Sequence, residues 1–502
     1  MRELDYIKAA PSGYRVGPRR RDDLKSGKSK LACDLVSSVQ FRFLAAADAP
    51  YMLLAIPLRR TWSQAIKGTV LPVRAVGGKS AGLKGQRKKR AEKKNGLPDP
   101  RPDGHRRRLV PCPGVPSTGL AARPRCALDP DAASLAFERA NRLPPESELA
   151  PAMSTYELPL RTRGRDVVDA RGRRVKLASV NWYGASDELF ASGGLDARHR
   201  DDIARLIRRL GFNSVRLPYS DELVTSNPIV RAADVAANPD LIGLSALEVF
   251  HATVRSLTGA GIAVIVNNHI TRASWCDGFD LCDASWKNDH LGPLCPLRQT
   301  EEDWIRHWEA VVAPLADDPL VIGVDLRNEV RGLWGTMSWD SWAAAAERAG
   351  DRLLALNPDW LIIVGGTSSG NDLSGGRYAT RSYESFVSTV RRHWGYLLEG
   401  DIAPVWVGEF GAPARPGVGD ARYWRHLVRY LKVLDADFGY WALNPRKMSR
   451  DGSSVPETYG LVEEDWKTPV LDYRMKSMIE LMRDVADSES EDEAGRGIGE
   501  RK

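Results

Sequence analysis

The chain has 502 residues, of which 43% are hydrophobic, and it carries a formal net charge of +7 with a pI near 9.0. This length can hold one large domain of about 250–350 residues together with additional segments. Six cysteines are too few for a disulfide-dense scaffold. The positive charge lies largely in the first 150 residues, so it says little about the partners of the rest.

Residues 1–152 are rich in Arg, Lys, Pro, Gly and Ala and lack a sustained helical or alternating pattern. The basic run GQRKKRAEKKNG could be a nuclear-localisation or polyanion-binding tail. The alternative is a low-complexity basic leader upstream of a start at Met153, and we predict this leader to be largely disordered. No RNA- or DNA-reading module accompanies the charge, so we expect no nucleic-acid partner. Residues 486–502 are predicted to be a disordered acidic and polar tail.

The sequence leaves the compartment open between secreted and cytoplasmic. Neither Met1 nor Met153 begins a signal peptide, because no apolar stretch of the required kind follows. The most apolar early run, residues 43–58, is short and contains Asp48. It is not expected to cross a membrane.

From residue 153 to 485 short apolar runs alternate with segments of helical periodicity, which predicts an α/β fold of the TIM (β/α)8 barrel type. The predicted strands are residues 175–185, 212–220, 263–270, 321–330, 361–369, 405–411 and 438–444. The predicted helices are residues 200–210, 244–257, 301–315, 339–356, 383–398, 421–434 and 470–484. A closed barrel of this type has eight strands. The sequence therefore predicts that the sixth strand is lacking, between residues 369 and 405.

Two of the predicted strands, VIGVDLRNEV and VWVGEFG, each deliver a glutamate as the apolar run ends: Glu329 and Glu409. In a parallel barrel the carboxyl ends of the strands surround the active site, so these carboxylates should face one cleft. A single glutamate here could simply cap a helix. Two together favour glycoside hydrolysis, in which retaining enzymes use carboxyl groups about 5–5.5 Å apart. This chemistry requires no cofactor.

Residues 155–483 resemble glycoside hydrolase family 5, the cellulase family A enzymes, through the motifs RNE, GEFG, VRLPYS, NNH and YWALN. The resemblance implies a TIM barrel and a retaining, double-displacement mechanism with Glu329 as acid/base and Glu409 as nucleophile. It further implies that Asn328 binds the sugar 2-hydroxyl and that Arg216 keeps the nucleophile ionised. The remaining implied substrate-binding residues are the cleft histidine, His269, and the tryptophan platform, Trp441.

Family members carry a sixth strand that ends in a His-x-Tyr element, and this chain has no match to it. His393 and Tyr396 lie in the predicted helix before GEFG and are not its counterparts. The expected function is that of a monomeric retaining β-glycosidase of the endoglucanase (cellulase) type, acting on β-glucan oligo- or polysaccharide in polysaccharide catabolism. The alternative is a catalytically impaired carbohydrate-binding protein, because the sixth strand is missing.

A loop at residues 271–300 carries Cys276, Cys282 and Cys295 and is expected to arch over the cleft with Trp275 and Trp286. The spacing allows one disulfide with a thiol left over, or three reduced thiols. A metal site that includes nearby His290 is a further possibility, but no CxxC pair accompanies it. We therefore predict no metal.

Overall fold

The computed structural model describes residues 53–56, 143, 145, 149–276, 280–331, 337–367, 380–448 and 453–482. The strands in these residues are β1 (Leu53–Ile56), β2 (Arg161–Arg163), β3 (Asp166–Val168), β4 (Ala178–Asn181), β5 (Ser214–Ser220), β6 (Ala263–Ile270), β7 (Val321–Asp325), β8 (Leu361–Gly365), β9 (Val405–Phe410), β10 (Asp437–Tyr440), β11 (Arg446–Met448) and β12 (Ser454–Pro456). The α-helices are α1 (Arg200–Arg209), α2 (Asp221–Ser226), α3 (Ala246–Gly259), α4 (Glu301–Val312), α5 (Trp339–Leu356), α6 (Tyr383–Val390), α7 (Tyr396–Glu399), α8 (Val418–Leu434) and α9 (Tyr473–Met482).

Strands β4 to β10 form the parallel wall of a closed barrel. β4 to β8 lie side by side in chain order, and β10 pairs with both β4 and β9. These are the seven strands that the sequence predicts, so the α/β barrel of TIM type is confirmed. Helices intervene between successive strands, as that fold requires.

The place between β8 and β9 is taken by β1, which runs antiparallel to both neighbours. Leu54 lies opposite Val364 of β8 and Val405 of β9. The described residues between these two strands, 366–367 and 380–404, contain no further strand. Strand edges carry unpaired N–H and C=O groups, and an apolar extended segment satisfies them by pairing.

The segment β1 belongs to residues 1–152, which were predicted to be largely disordered, and it is an ordered strand within that leader. A four-residue apolar run is too short to stand out as a strand in a sequence. Most of the other leader residues, and the predicted tail at 486–502, lie outside the described residues.

Ordered packing of the barrel begins a few residues before Met153. The side chains of Leu149 and Ala150 are buried, and Arg208 Nη2 donates a hydrogen bond to the Ala150 carbonyl at 3.1 Å. Gly211 ends α1 at a φ of +99°, and a Cβ there would lie 2.7 Å from Leu149 Cδ2. Glycine is therefore required at this predicted helix end both for its φ and for the close contact.

Strand β6 illustrates how the apolar runs position a polar site. All eight of its residues are buried, because the barrel interior covers one face and helices cover the other. Its first residues are apolar, and Asn267, Asn268 and His269 follow at its carboxyl end. The polar end of the strand is therefore held rigidly by its apolar beginning.

Two local details of the fold were not evident from the sequence. Strands β2 and β3 pair as an antiparallel hairpin. The helix expected at residues 383–398 is interrupted by a π-turn at Arg391–Gly395, which separates α6 from α7. Among the described residues, none of the helices has both the length and the apolar character needed to cross a lipid bilayer.

The pairing of β1 generates a test of barrel closure. Leu54→Pro removes a backbone N–H donor, so we expect the free energy of unfolding to fall by roughly 1–3 kcal/mol. Urea unfolding followed by tryptophan fluorescence measures this. Leu54→Val, which retains the N–H, is the matched control and should unfold close to the parent chain. Equal stability of the proline variant would contradict a role for β1 in closing the barrel.

Candidate active site

The carboxyl ends of the parallel strands converge on the guanidinium of Arg216, which is 1% exposed. Its Nε donates to Asp325 Oδ2 at 2.8 Å, and its Nη2 donates to Asn328 Oδ1 at 3.0 Å. Its Nη1 donates to Asn181 Oδ1 at 3.0 Å and also to Glu409 Oε1. One buried cation on β5 thus connects side chains at the ends of β4, β7 and β9. Of the other predicted site residues, Asn328 and Glu409 are hydrogen-bonded to Arg216, and His269 lies beside Glu409.

Glu409 lies at the end of β9 with its side chain 15% exposed. Burial raises the pKa of this carboxyl, and the charge and hydrogen bond of Arg216 oppose that rise. The imidazole of His269 is also close, with Nδ1 4.0 Å from Glu409 Oε1. Arg216 therefore favours the charged form of Glu409.

His269 is a neutral hydrogen-bonding group in this cleft. Burial lowers the pKa of His269 well below its ordinary value, and the charges of Arg216 and Arg327 add to the effect. Its Nδ1 lies 2.8 Å from the side-chain oxygen of Asn267, which can only accept, so Nδ1 carries the proton. Nε2 is then an acceptor for Asn328 Nδ2 at 3.5 Å. His269 consequently orients Asn328 without contributing charge.

Glu329 follows β7 in a very different environment. Its φ of +47° is in the left-handed region, which non-glycine residues seldom adopt. Burial raises the pKa of Glu329 to about 7, with Arg331 opposing the rise and the Glu409 charge adding to it. A carboxyl with a pKa near neutrality is suited to donate and then accept a proton.

Aromatic rings form one wall of the cleft around Trp441. The Trp441 ring stacks on Tyr183, with centroids 4.9 Å apart, and on His269, with centroids 5.4 Å apart. Trp275 meets Trp441 edge-on at 6.1 Å, and Lys447 Nζ lies 4.6 Å from the centre of the Trp275 ring. These flat faces offer the apolar surface on which a sugar ring can lie.

The cysteine loop has one disulfide and one thiol. Cys282 is bonded to Cys295, and Cys276 is not in a disulfide. The described residues contain no group of three His, Cys, Asp or Glu side chains able to hold a metal ion. The prediction that Trp286 lies over the cleft is wrong. It is buried against Trp342, with ring centroids 5.0 Å apart, because the loop turns inward onto the helices.

Several groups in this cleft were not singled out from the sequence. Asp325 had a usable signal, since it is the only charged residue in an otherwise apolar strand, VIGVD. Asn181 likewise ends β4. Arg331 and Cys276 had no such signal, because each reaches Glu329 from a loop.

His393 and Tyr396 lie on the helical segment before β9, as predicted, and not at the carboxyl end of a strand. They do not stand in for the absent His-x-Tyr element. Residues 368–379, which overlap the stretch predicted to lack the sixth strand, lie outside the described residues.

A parallel barrel with two partly buried carboxyl groups, an arginine and stacked aromatic rings at its carboxyl end is an architecture suited to glycoside hydrolysis. Residues 168–382 match the model of the family described as Cellulase (glycosyl hydrolase family 5). That match includes Glu329 and ends before Glu409.

Relatives and solved structures agree with this match. An endoglucanase of Paenibacillus polymyxa is 28% identical over 61% of this chain and 83% of its own length. The major extracellular endoglucanase of Xanthomonas campestris is 28% identical over 60% of this chain and 67% of its own. The catalytic domain of that Xanthomonas enzyme superposes with a TM-score of 0.53 at 25% identity, over 64% of this chain and 99% of the domain. Over residues 168–382 the chain resembles glycoside hydrolase family 5, and its similarity to these endoglucanases supports a glycosidase activity.

The environment of Glu329 generates a prediction about stability. Between the ordinary glutamate pKa of 4.5 and about 7, the unfolded chain loses this proton while the folded chain retains it. The free energy of unfolding should therefore fall as pH rises through this window. Glu329→Gln removes that contribution, so chemical unfolding at pH 5 and pH 8 should differ less than in the parent chain. Glu480→Gln, at an exposed position, should leave the difference unchanged.

Proposed function

We propose that this glycosidase is a retaining endoglucanase that cleaves β-glucan chains, with Glu409 as nucleophile and Glu329 as acid/base. The observation that carries the proposal is the contrast between the two carboxyl environments. Burial raises the pKa of both carboxyl groups, but Arg216 is hydrogen-bonded to Glu409 and opposes the rise there, whereas the pKa of Glu329 reaches about 7. One carboxyl is thereby favoured as an anion and the other as a proton donor.

In the first step the Glu409 carboxylate attacks the anomeric carbon and forms a glycosyl ester. The bond from that carbon to the leaving oxygen breaks, and Glu329 gives its proton to this oxygen. Arg216 holds Glu409 in position through Nη1 while Nη2 holds the Asn328 amide. Because its oxygen is taken by Arg216, the Asn328 amide has its N–H groups available for His269 and for the 2-hydroxyl of the sugar.

In the second step Glu329, now ionised, removes a proton from water. The resulting hydroxide adds to the anomeric carbon and displaces the Glu409 carboxylate, so both residues return to their starting states. The configuration at the sugar carbon is inverted twice and is therefore retained. The residues described need no metal or cofactor for either step.

The substrate class follows from the aromatic wall and from the relatives. Trp441 and Trp275 adjoin each other at the cleft and can together contact more than one sugar ring, while Tyr183 is buried against Trp441. The Paenibacillus and Xanthomonas relatives are named endoglucanases. Both points favour an oligo- or polysaccharide over a simple glycoside. The alternative, a carbohydrate-binding protein with impaired catalysis, is favoured only by the antiparallel β1, which among the described residues takes the place between β8 and β9.

Kinetics of the two glutamate variants separate these possibilities. Glu409→Gln should abolish turnover of both cello-oligosaccharides and 2,4-dinitrophenyl β-cellobioside. Glu329→Gln should slow cello-oligosaccharide cleavage by on the order of 10²–10⁴-fold, the usual contribution of a general acid. It should slow ester formation with the dinitrophenyl substrate far less, because that leaving group needs no proton.

Exposed Glu480→Gln serves as the matched control and should behave as the parent chain. Folding of each variant is checked by its melting temperature. Oligosaccharide binding, seen by tryptophan fluorescence, without any turnover in the parent chain would support the binding protein instead.

The pH dependence of kcat/KM should be bell-shaped. Activity should fall at low pH as Glu409 gains a proton and should fall at high pH as Glu329 loses its own. With the pKa of Glu329 raised to about 7, the alkaline limb is expected near neutrality. Initial rates on a soluble cello-oligosaccharide between pH 4 and pH 9 measure both limbs. A rate that stays constant above pH 8 would rule out Glu329 as the proton donor.

A further inference from the structure

We propose that Arg331 is a positioning residue for the Glu329 carboxyl and that the disulfide-bearing loop holds Arg331 in place through Asp283. The inference rests on the proposed role of Glu329 as acid/base. It concerns how this chain holds that group in the absence of the sixth-strand element.

The guanidinium of Arg331 spans the space between Glu329 and the loop. Its Nη1 lies 3.3 Å from the Glu329 carbonyl oxygen and 3.9 Å from Glu329 Oε2. Its Nη2 donates to the Asp280 carbonyl at 3.2 Å and lies 3.5 Å from Asp283 Oδ2. The side chain is only 6% exposed, so these contacts are largely shielded from water.

Asp283 is itself fixed on its other side. Its Oδ1 accepts a hydrogen bond from Arg327 Nη2 at 2.7 Å and from the Thr271 backbone N–H at 2.6 Å. It follows Cys282 directly in the chain, and Cys282 is covalently bonded to Cys295. The disulfide therefore restricts the segment that carries the partner of Arg331.

The backbone of Glu329 depends on neighbouring hydrogen bonds to keep its unusual conformation. The Asn328 N–H donates to the Asn268 carbonyl at 2.9 Å, and the Arg331 N–H donates to the Ala284 carbonyl at 2.9 Å. A non-glycine residue with positive φ persists only where its surroundings enforce it. The loop residue Ala284 thus holds Glu329 through the main chain, while Arg331 holds its carboxyl through charge.

The charged and titratable groups around the Glu329 carboxyl come from three elements. Arg331 lies on its own segment, Glu409 faces it from β9, and Cys276 Sγ lies 3.9 Å from Glu329 Oε2 on the cysteine loop. Behind Arg331 lies Asp283, whose charge helps to raise the pKa of Arg331 despite its burial. Arg331 therefore stays cationic. Its charge favours the carboxylate form of Glu329 and keeps the pKa of this group lower than burial alone would set it.

The pH profile of Arg331→Gln tests the charge contribution. Glutamine can still hydrogen-bond but carries no charge, so the alkaline limb of kcat/KM should move upward by about one pH unit. Arg331→Lys retains the charge and should keep the limb near that of the parent chain. Arg348→Gln, at an exposed arginine on α5, is the matched control and should shift nothing. A folded Arg331→Gln variant with an unmoved limb would overturn the proposal.

Reduction of the Cys282–Cys295 bond tests the contribution of the loop without any substitution. In the parent chain, a thiol reductant should move the alkaline limb in the same direction as Arg331→Gln, by a smaller amount. The same reductant should add nothing further in the glutamine variant. An unchanged limb after complete reduction, verified by mass spectrometry, would overturn the role of the loop.

The thiol of Cys276 provides a measurement that does not need activity. Its alkylation by iodoacetamide, followed at the level of the Cys276 peptide between pH 5 and pH 9, should show a step where neighbouring Glu329 titrates. The step should be missing in Glu329→Gln and should move upward in Arg331→Gln. If no form hydrolyses glucan but the step moves as expected, the proposed function fails while the placement of Arg331 stands. A step at the same pH in the parent chain, in Glu329→Gln and in Arg331→Gln would overturn the placement of Arg331 beside Glu329.

Discussion

The structure of the cleft depends on the burial of one charge, the guanidinium of Arg216. A cation removed from water must have partners on all sides, because a buried charge without them costs several kcal/mol. Arg216 meets this condition with groups from β4, β7 and β9 at once, through Asn181, Asp325 and Glu409. Slipping any of these strands by one residue would turn its polar group away from the barrel interior and leave the cation unpaired. The register of the barrel and the position of Glu409, the proposed nucleophile, are therefore set by the same requirement.

A second buried arginine, Arg327, adds another fixed positive charge near His269. Its Nη1 donates to Asp221 Oδ2 at 3.0 Å and its Nη2 to Asp283 Oδ1 at 2.7 Å, so it links α2 with the cysteine loop. Arg216 and Arg327 both act on His269, whose pKa they lower further than burial alone. A protonated His269 could no longer accept the hydrogen bond from Asn328 Nδ2, so the orientation of that amide toward the sugar would be lost. With His269 neutral, Glu329, whose pKa is raised to about 7, is the proposed group for proton exchange in this cleft.

The sequence predicts the parts of this structure that follow from strand periodicity and from the rule that barrel sites lie at the carboxyl ends of strands. The bounds of β6 and α5 agree with prediction residue for residue, because an unbroken apolar run and a long helical period leave little choice. Loops have no such period. Trp275 and Trp286 lie on the same loop, yet one ring borders the cleft and the other is buried among helices. The contact of Arg331 with Glu329 could not be foreseen for the same reason, since it depends on how a loop turns.

The direction of β1 has a consequence for the chemistry of the cleft. Leu53 pairs with Gly365 at the carboxyl end of β8, and Ile56 pairs with Ile362 near its start, so the strand runs opposite to the wall that it completes. Antiparallel pairing satisfies the backbone groups of β8 and β9, which is what barrel closure requires. It does not bring a strand's carboxyl end, with a histidine and a tyrosine, to the catalytic end of the barrel. The barrel backbone is thus completed by β1, while the contacts that hold Glu409 and Glu329 in the cleft include those with Arg216 and Arg331.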